Sequence, residues 1–454
     1  MTLRHAEILY LAPSDPYRSG LADYGHSYLS AIQEDPHLSG TPLLNMRIPE
    51  RLHGHLDAIP LVRKMTEQAL KSVVAHPDQI LQVEMDWRSQ REYWAALEVT
   101  RLRPDLPICL TFHDPPHLPE RVRQPAENPK TSFIERLIQR ISRSLSIYSQ
   151  KRLERDLLEK AAVFMAPSRR GAGLLVEQYP EFARKVACLP PVVMGTLPPE
   201  PLQPHQPMDH THITLFGFIR PDKGIPEFLR AIAFLNKREL LEGRVLIRLG
   251  GRTSLEGAQN QMNERLRDLM KDLEIEKLIE FFPGALTEAK VNELLMDSDV
   301  VVLPYRTGFC NGCSKTLMRV AAWGVSVIAS DVGSIREIIE HEKTGLLYTS
   351  GDTTALADAI NRIIQDPHGR LKMARALQEK VYARYAPTVV APLLREIYAA
   401  VLEAHQKQRP VILPKAVRMV EPPVFEESPE EAAPDETGNK TGDTQPDSGE
   451  NAHV

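Results

Sequence analysis

Short apolar runs separated by segments of helical period fill most of the chain. The runs Glu7–Leu11, Ile80–Glu84, Ile108–Phe112, Val163–Ala166 and Val186–Leu189 read as strands. They are nearly continuous in apolar residues instead of strictly alternating, which predicts a parallel sheet with helices on both faces. A proline-dense stretch, PPVVMGTLPPEPLQPHQPMDH, then suits neither helix nor central strand and reads as a linker. Alternation resumes with strands at Ile213–Phe216, Val245–Leu249, Ile279–Phe282, Val300–Leu303 and Val325–Ala329. Helical patterns at Ile225–Leu235 and Glu288–Met296 are interleaved with them. Three more helical patterns, Thr354–Gln365, Leu371–Arg384 and Val389–His405, close the ordered part without a further obvious strand.

The expected organisation is therefore α/β, with two doubly wound, Rossmann-like domains facing a cleft. The first covers 1–195, the linker 196–211 and the second domain 212–385; a helix at 386–407 packs back towards the first domain, and an acidic tail occupies 408–454. Ligands of such sheets bind beyond the carboxyl ends of the strands, so the loops there carry the candidate chemistry.

The length of 454 residues agrees with two cores, since one core seldom organises more than about 250–300 residues. No uninterrupted apolar segment approaches the roughly 20 residues that span a bilayer. The start, MTLRHAEILYLAPSD, runs directly into a strand pattern without a separate apolar leader, and a cytoplasmic address is expected. The formal charge is −5, but residues 411–454 hold ten acidic against three basic residues, which leaves the body at about +2. Nucleic acid is not an expected partner of such a body. The acidic, apolar-poor tail is expected to be disordered, with solubility or docking of a protein partner as its role. Four cysteines do not make a disulfide framework in a chain of this size.

Two loops are suited to an anion. In ITLFGFIRPDKGIPEFLRAIAFL, a strand leads through a glycine-bearing loop to a helix starting near Lys223 or Gly224, and Arg220 and Lys223 lie beside that helix start. The alternative is an ordinary βα loop with solvated cations. In PYRTGFCNGCSKTLMRVAAWGVSVIASD, Gly312 permits close backbone approach, Ser314 can cap the following helix, and Lys315 and Arg319 place positive charge where the helix field disfavours it. An anion there would offset that field; the alternative is a plain capped helix. Cys310 and Cys313 form a Cys-x-x-Cys, which lacks a second pair or a nearby His pair to complete a metal site. Segment Phe133–Lys160 places an apolar stripe beside Arg136, Arg140 and Arg143. It reads either as a helix packed on its own domain or as one resting on an anionic membrane surface.

These motifs resemble the family 4 retaining glycosyltransferases of the GT-B fold. The strand-loop-helix GFIRPDKG is similar to that family's donor-phosphate loop, whose Lys falls on Lys223; Phe218 stands where the family often has Arg, and Arg220 lies two residues on. VVLPYR, AAWGVSVIASDVGSIREIIEHEKTGLLY and GDTTALADAINRIIQD resemble the second-half pattern. LAPSDPYRSGLADYGHSYLSAI resembles the cleft-facing glycine loop, with Gly20 the match, and TFHDPPH resembles the Thr-x-His-Asp segment, which places His113 at a strand end facing the cleft. Aligning the family's Glu-x7-Glu motif on Gly324 puts its two positions at Asn311 and Arg319, neither of them acidic. Asn311 can still bond sugar hydroxyls, whereas the Arg319 guanidinium only donates.

The resemblance implies a hexosyl transfer with retention from a nucleoside-diphosphate sugar to a glycan or lipid-linked acceptor, as in polysaccharide or glycoconjugate biosynthesis, without cofactor or bound metal. It implies His113, Lys223 and Arg220 as catalytic residues. Gly20, Asn311, Gly312, Cys313, Ser314, Lys315 and Arg319 bind the donor, and Glu84, ending ILQVE, lies on the acceptor side. A second expectation, from Asn311 and Arg319, is a catalytically degenerate GT-B protein serving as a sugar-binding or assembly partner.

Overall fold

A computed structural model describes residues 5–12, 20–43, 58–85, 90–113, 115, 152, 155–193, 210–241, 245–253, 259–306 and 312–421. It contains two six-stranded sheets in which neighbouring strands run parallel. The first comprises β1 Ala6–Leu11, β2 Leu38–Pro42, β3 Gln79–Met85, β4 Ile108–Phe112, β5 Val163–Ala166 and β6 Val186–Cys188. Their order is β2-β1-β3-β4-β5-β6. The second comprises β7 Thr211–Ile219, β8 Val245–Thr253, β9 Ile279–Pro283, β10 Val300–Leu303, β11 Ser326–Ser330 and β12 Leu346–Tyr348, in the order β12-β11-β10-β7-β8-β9. The doubly wound α/β architecture expected from the apolar runs is thus present in both halves.

The runs form these strands because both faces of each sheet are covered. β3, β4, β5, β10 and β11 are buried along their whole length, which only continuously apolar or internally paired segments tolerate. Two strands escape the run criterion, LSGTP in β2 and LLY in β12. Both are edge strands, where partial exposure and short length weaken the apolar signal.

Each sheet reverses its winding once: strand order turns between β1 and β3 in the first sheet and between β7 and β10 in the second. Crevices open at the carboxyl ends of strands at such switch points. The helix Pro387–Gln406 returns to the first half, where Arg395 Nη1 lies 2.9 Å from Asp35 Oδ2 and the Tyr398 hydroxyl donates to Gln82 Oε1 at 3.2 Å.

The ordered fold extends beyond the expected boundary at 408. Leu413 and Val417 are buried, Cys188 N donates to Val417 O at 2.7 Å, and an antiparallel bridge joins Ala187 to Arg418. This strap covers the free edge of β6, the position where an unpaired strand would invite association. The tail expectation consequently shortens to 422–454, which lies outside the described residues, as do the linker positions 194–209 and most of the expected helix 133–160. No helix among the described residues is long and apolar enough to cross a membrane.

Candidate active site

The switch point of the second sheet is built by the loops that follow β7 and β10. After β7 the chain makes a single 3-10 turn, Pro221–Lys223, and Gly224 takes φ 65° before the helix Ile225–Lys237. A Cβ at Gly224 would lie 1.7 Å from the Pro304 carbonyl oxygen, so only glycine lets the two loops meet so closely. This contact holds the Lys223 ammonium 3.9 Å from the centroid of the Tyr305 ring. Tyr305 is itself fixed: its hydroxyl shares a 3.1 Å hydrogen bond with Ser314 Oγ, and its carbonyl accepts from Ser330 Oγ at 2.5 Å.

Arg220 is directed to its own loop. Its Nε donates to Asp222 Oδ1 at 2.9 Å, and a second guanidinium nitrogen contacts Asp222 Oδ2. Burial alone would raise the Asp222 carboxyl, but the hydrogen bonds and charge of Arg220 outweigh it and hold the group below the usual carboxylate range. The positive charge of Arg220 is therefore shared with a carboxylate, which the Lys223 charge also helps to hold ionised.

Ser314 caps the helix Lys315–Ala322 as expected, with Leu317 N donating to its Oγ at 3.2 Å. Lys315 Nζ lies 5.2 Å from the centroid of Tyr24 in the other half of the molecule. The field argument for Arg319 has a protein answer: its guanidinium bonds both oxygens of Glu288, at 2.6 and 3.0 Å, and Asn292 Oδ1 at 2.5 Å. The compensating anion for Arg319 is thus the first residue of the helix Glu288–Met296. Asn311 and Cys310 lie outside the described residues.

The first half contributes His113, directly after β4, with its backbone N donating to Met85 O at 3.1 Å. The side chain is buried, and its Nε2 lies 2.5 Å from Glu84 Oε2. Glu84 is only 1% exposed and accepts from the Tyr10 hydroxyl at 2.6 Å and from Gln82 Nε2 at 3.0 Å. It lies buried behind His113 on β3, bonded across the β1–β3 switch point to Tyr10 on β1. Burial of a carboxylate is tolerated there because three donors converge on it. Gly20 begins the helix Gly20–Glu34, whose Tyr24 ring covers the His113 imidazole with centroids 4.7 Å apart.

Two contacts join the halves at this place. The Tyr24 hydroxyl donates to the Cys313 carbonyl at 2.6 Å. Gly312 approaches the His113 carbonyl so closely that a Cβ would stand 1.5 Å from the oxygen. Beside them, the Glu337 carboxylate accepts from the backbone amides of Arg169 and Arg170, at 2.9 and 2.8 Å, and so caps the helix Arg169–Gln178 from the opposite half. Sequence reasoning missed Tyr24, Glu288 and Glu337. The string GSIREIIE gives no sign that its first glutamate reaches a helix 167 residues earlier.

The seam bonds of Glu337 must break for the halves to part. Glu337→Ala is expected to keep the fold while favouring a more open form, by an amount on the order of 1–3 kcal/mol. A larger radius of gyration by solution X-ray scattering, with unchanged far-ultraviolet circular dichroism, checks this; identical scattering curves would remove Glu337 from any closing role. Among the described residues no group of three or more His, Cys, Asp or Glu is placed to hold a metal ion. Burial pushes the Cys188 thiol up to about 12 and the Cys109 thiol higher still, so neither is a thiolate near neutrality.

Two parallel sheets with paired switch points, joined at a seam of loops, define the fold as GT-B, an arrangement of two Rossmann-like α/β domains. Residues 203–384 match the family model described as glycosyl transferases group 1. Over 199 residues the chain is 28% identical to the D-inositol 3-phosphate glycosyltransferase of Saccharomonospora viridis, covering 44% of each chain. It is 31% identical over 134 residues to the N-acetyl-alpha-D-glucosaminyl L-malate synthase of Bacillus anthracis, covering 30% of this chain and 34% of that one. The match thus spans less than half the length of either curated relative. Among solved structures, Anabaena HepE in complex with UDP and glucose superposes with a TM-score of 0.63 at 17% identity, over 87% of this chain and all of that one. This likeness is one of fold.

Proposed function

We propose that the protein is a retaining glycosyltransferase that moves a hexose from a nucleoside-diphosphate sugar to a hydroxyl of a glycan or lipid-linked acceptor. The observation that carries this reading is the convergence at one seam of Lys223, the Ser314-capped helix and, from the other half, His113. A diphosphate needs positive charge where the leaving group departs, and the Lys223 ammonium and the positive end of the helix Lys315–Ala322 supply it. Breaking the bond between the anomeric carbon and the diphosphate oxygen leaves negative charge on that oxygen. The acceptor oxygen bonds the carbon from the same face, and its proton passes to the departing oxygen, so no protein nucleophile is used. His113 lies on the side of the seam opposite Lys223, suited to hold the sugar while the diphosphate is held by the second half. The similarity to a curated inositol phosphate glycosyltransferase and the fold shared with a protein crystallised with UDP and glucose support the same substrate class.

Thermal-shift measurement with UDP-, GDP-, ADP- and TDP-sugars tests the reading. At least one donor is expected to raise the melting temperature and to be slowly hydrolysed. Absence of any response at millimolar concentration, with stabilisation by free sugars or a protein partner in its place, would overturn it.

A further inference from the structure

The residues leading into the helix Lys315–Ala322 are held from both halves of the molecule. Gly312 lies against the His113 carbonyl, the Cys313 carbonyl accepts from the Tyr24 hydroxyl at 2.6 Å, and Lys315 Nζ lies 5.2 Å from the centroid of the Tyr24 ring. Ser314, between them, turns to its own half, where its Oγ meets the Tyr305 hydroxyl and the Leu317 amide. Tyr24 thus grips this loop twice, from the helix Gly20–Glu34 of the first half.

The two contacts act on different parts of the loop. A trans peptide is planar, so the bond to the Cys313 carbonyl fixes the plane of the Cys313–Ser314 peptide and with it the direction of the Ser314 N–H. The ring holds the Lys315 ammonium, since a cation within about 6 Å of an aromatic centroid is attracted to its face. Lys315 is the first residue of its helix, whose amino end repels a cation, and Tyr24 supplies an attraction that offsets this repulsion. Tyr24 does not simply follow the loop: it is 5% exposed, and its ring packs on the His113 imidazole of its own half with centroids 4.7 Å apart. We propose that Tyr24 is a positioning residue through which the first half sets the anion affinity of the second. With the halves in contact it aims the Ser314 amide and keeps Lys315 at the helix start, where the diphosphate of the donor binds. The identity of the anion rests on the transferase reading above, whereas the coupling does not. By linkage, an anion bound at this helix start strengthens the contact between the halves by the same factor.

The test is calorimetric titration of the full chain with UDP, GDP, ADP and TDP and with inorganic pyrophosphate, which carries neither base nor ribose. Tyr24→Phe keeps the ring and removes the bond to Cys313, and is expected to weaken binding about 3- to 10-fold. Tyr24→Leu removes the ring as well, with an expected loss of about 10- to 100-fold. Lys315→Ala reads out the coupling: its effect on affinity is expected to shrink by about threefold or more when Tyr24 is already Leu, because residues in contact couple and independent ones add. Far-ultraviolet circular dichroism checks that each variant folds; if Tyr24→Leu does not, Tyr24→Phe carries the test, since it removes one hydroxyl and leaves no large cavity. Wild-type pyrophosphate affinity in folded Tyr24→Phe overturns the positioning role, and so does an equal effect of Lys315→Ala with and without the tyrosine. Binding of pyrophosphate but of no nucleoside diphosphate sinks the transferase reading, and the pyrophosphate titrations then decide the role of Tyr24 alone. A wild type that binds none of the five probes overturns both.

Discussion

Gly312→Ala is expected to lower kcat/KM for donor turnover by about 100-fold or more while both sheets stay folded. The added Cβ would stand 1.5 Å from the His113 carbonyl oxygen and 2.7 Å from its carbon, and real Cβ atoms essentially never approach within 3.0 Å. Both obstructing atoms are backbone at the end of β4, held by the bond from His113 N to Met85 O, so the cheap remedy of swinging a side chain is absent. The loop at Gly312 must retreat by more than an ångström, and misplacement on that scale costs about 10²-fold in a site that depends on orientation. Because Tyr24 bonds the next residue, Cys313, the retreat also loosens the cover over His113. Gly173→Ala is the matched control: in the helix Arg169–Gln178 a Cβ there meets nothing within 4 Å, and the change is expected to be neutral or to stabilise by roughly 0.5–1 kcal/mol. Donor hydrolysis and thermal melts of both variants decide the matter. Wild-type turnover in Gly312→Ala would show that the seam does not form the reactive state.

Lys223→Ala is expected to weaken binding of a nucleoside diphosphate by roughly 100-fold, or about 3 kcal/mol, through loss of charge-assisted hydrogen bonds worth roughly 1.5–3 kcal/mol each. The ammonium lies over Tyr305, and that contact aims the charge. Arg220→Ala is expected to do less, since the guanidinium already shares its charge with Asp222. Calorimetric titration with UDP and GDP separates the two variants. Equal affinity in Lys223→Ala and wild type would place the phosphates elsewhere on the fold.

The sequence by itself determined the two parallel sheets, the Lys223 loop and the Ser314 cap. Buried parallel strands must be continuously apolar, so ICLTF and VVVL announce themselves, and a serine before a helix start acts on an amide three residues away. Partners far apart in the chain have no such signature. That Glu84 lies behind His113, that Arg319 is answered by Glu288, that Glu337 caps a helix of the other half, and that Leu413 and Val417 belong to the fold were decided only by tertiary structure. A charged residue reads as exposed until the donors that desolvate it are brought together, and no local pattern encodes which distant segment will bring them.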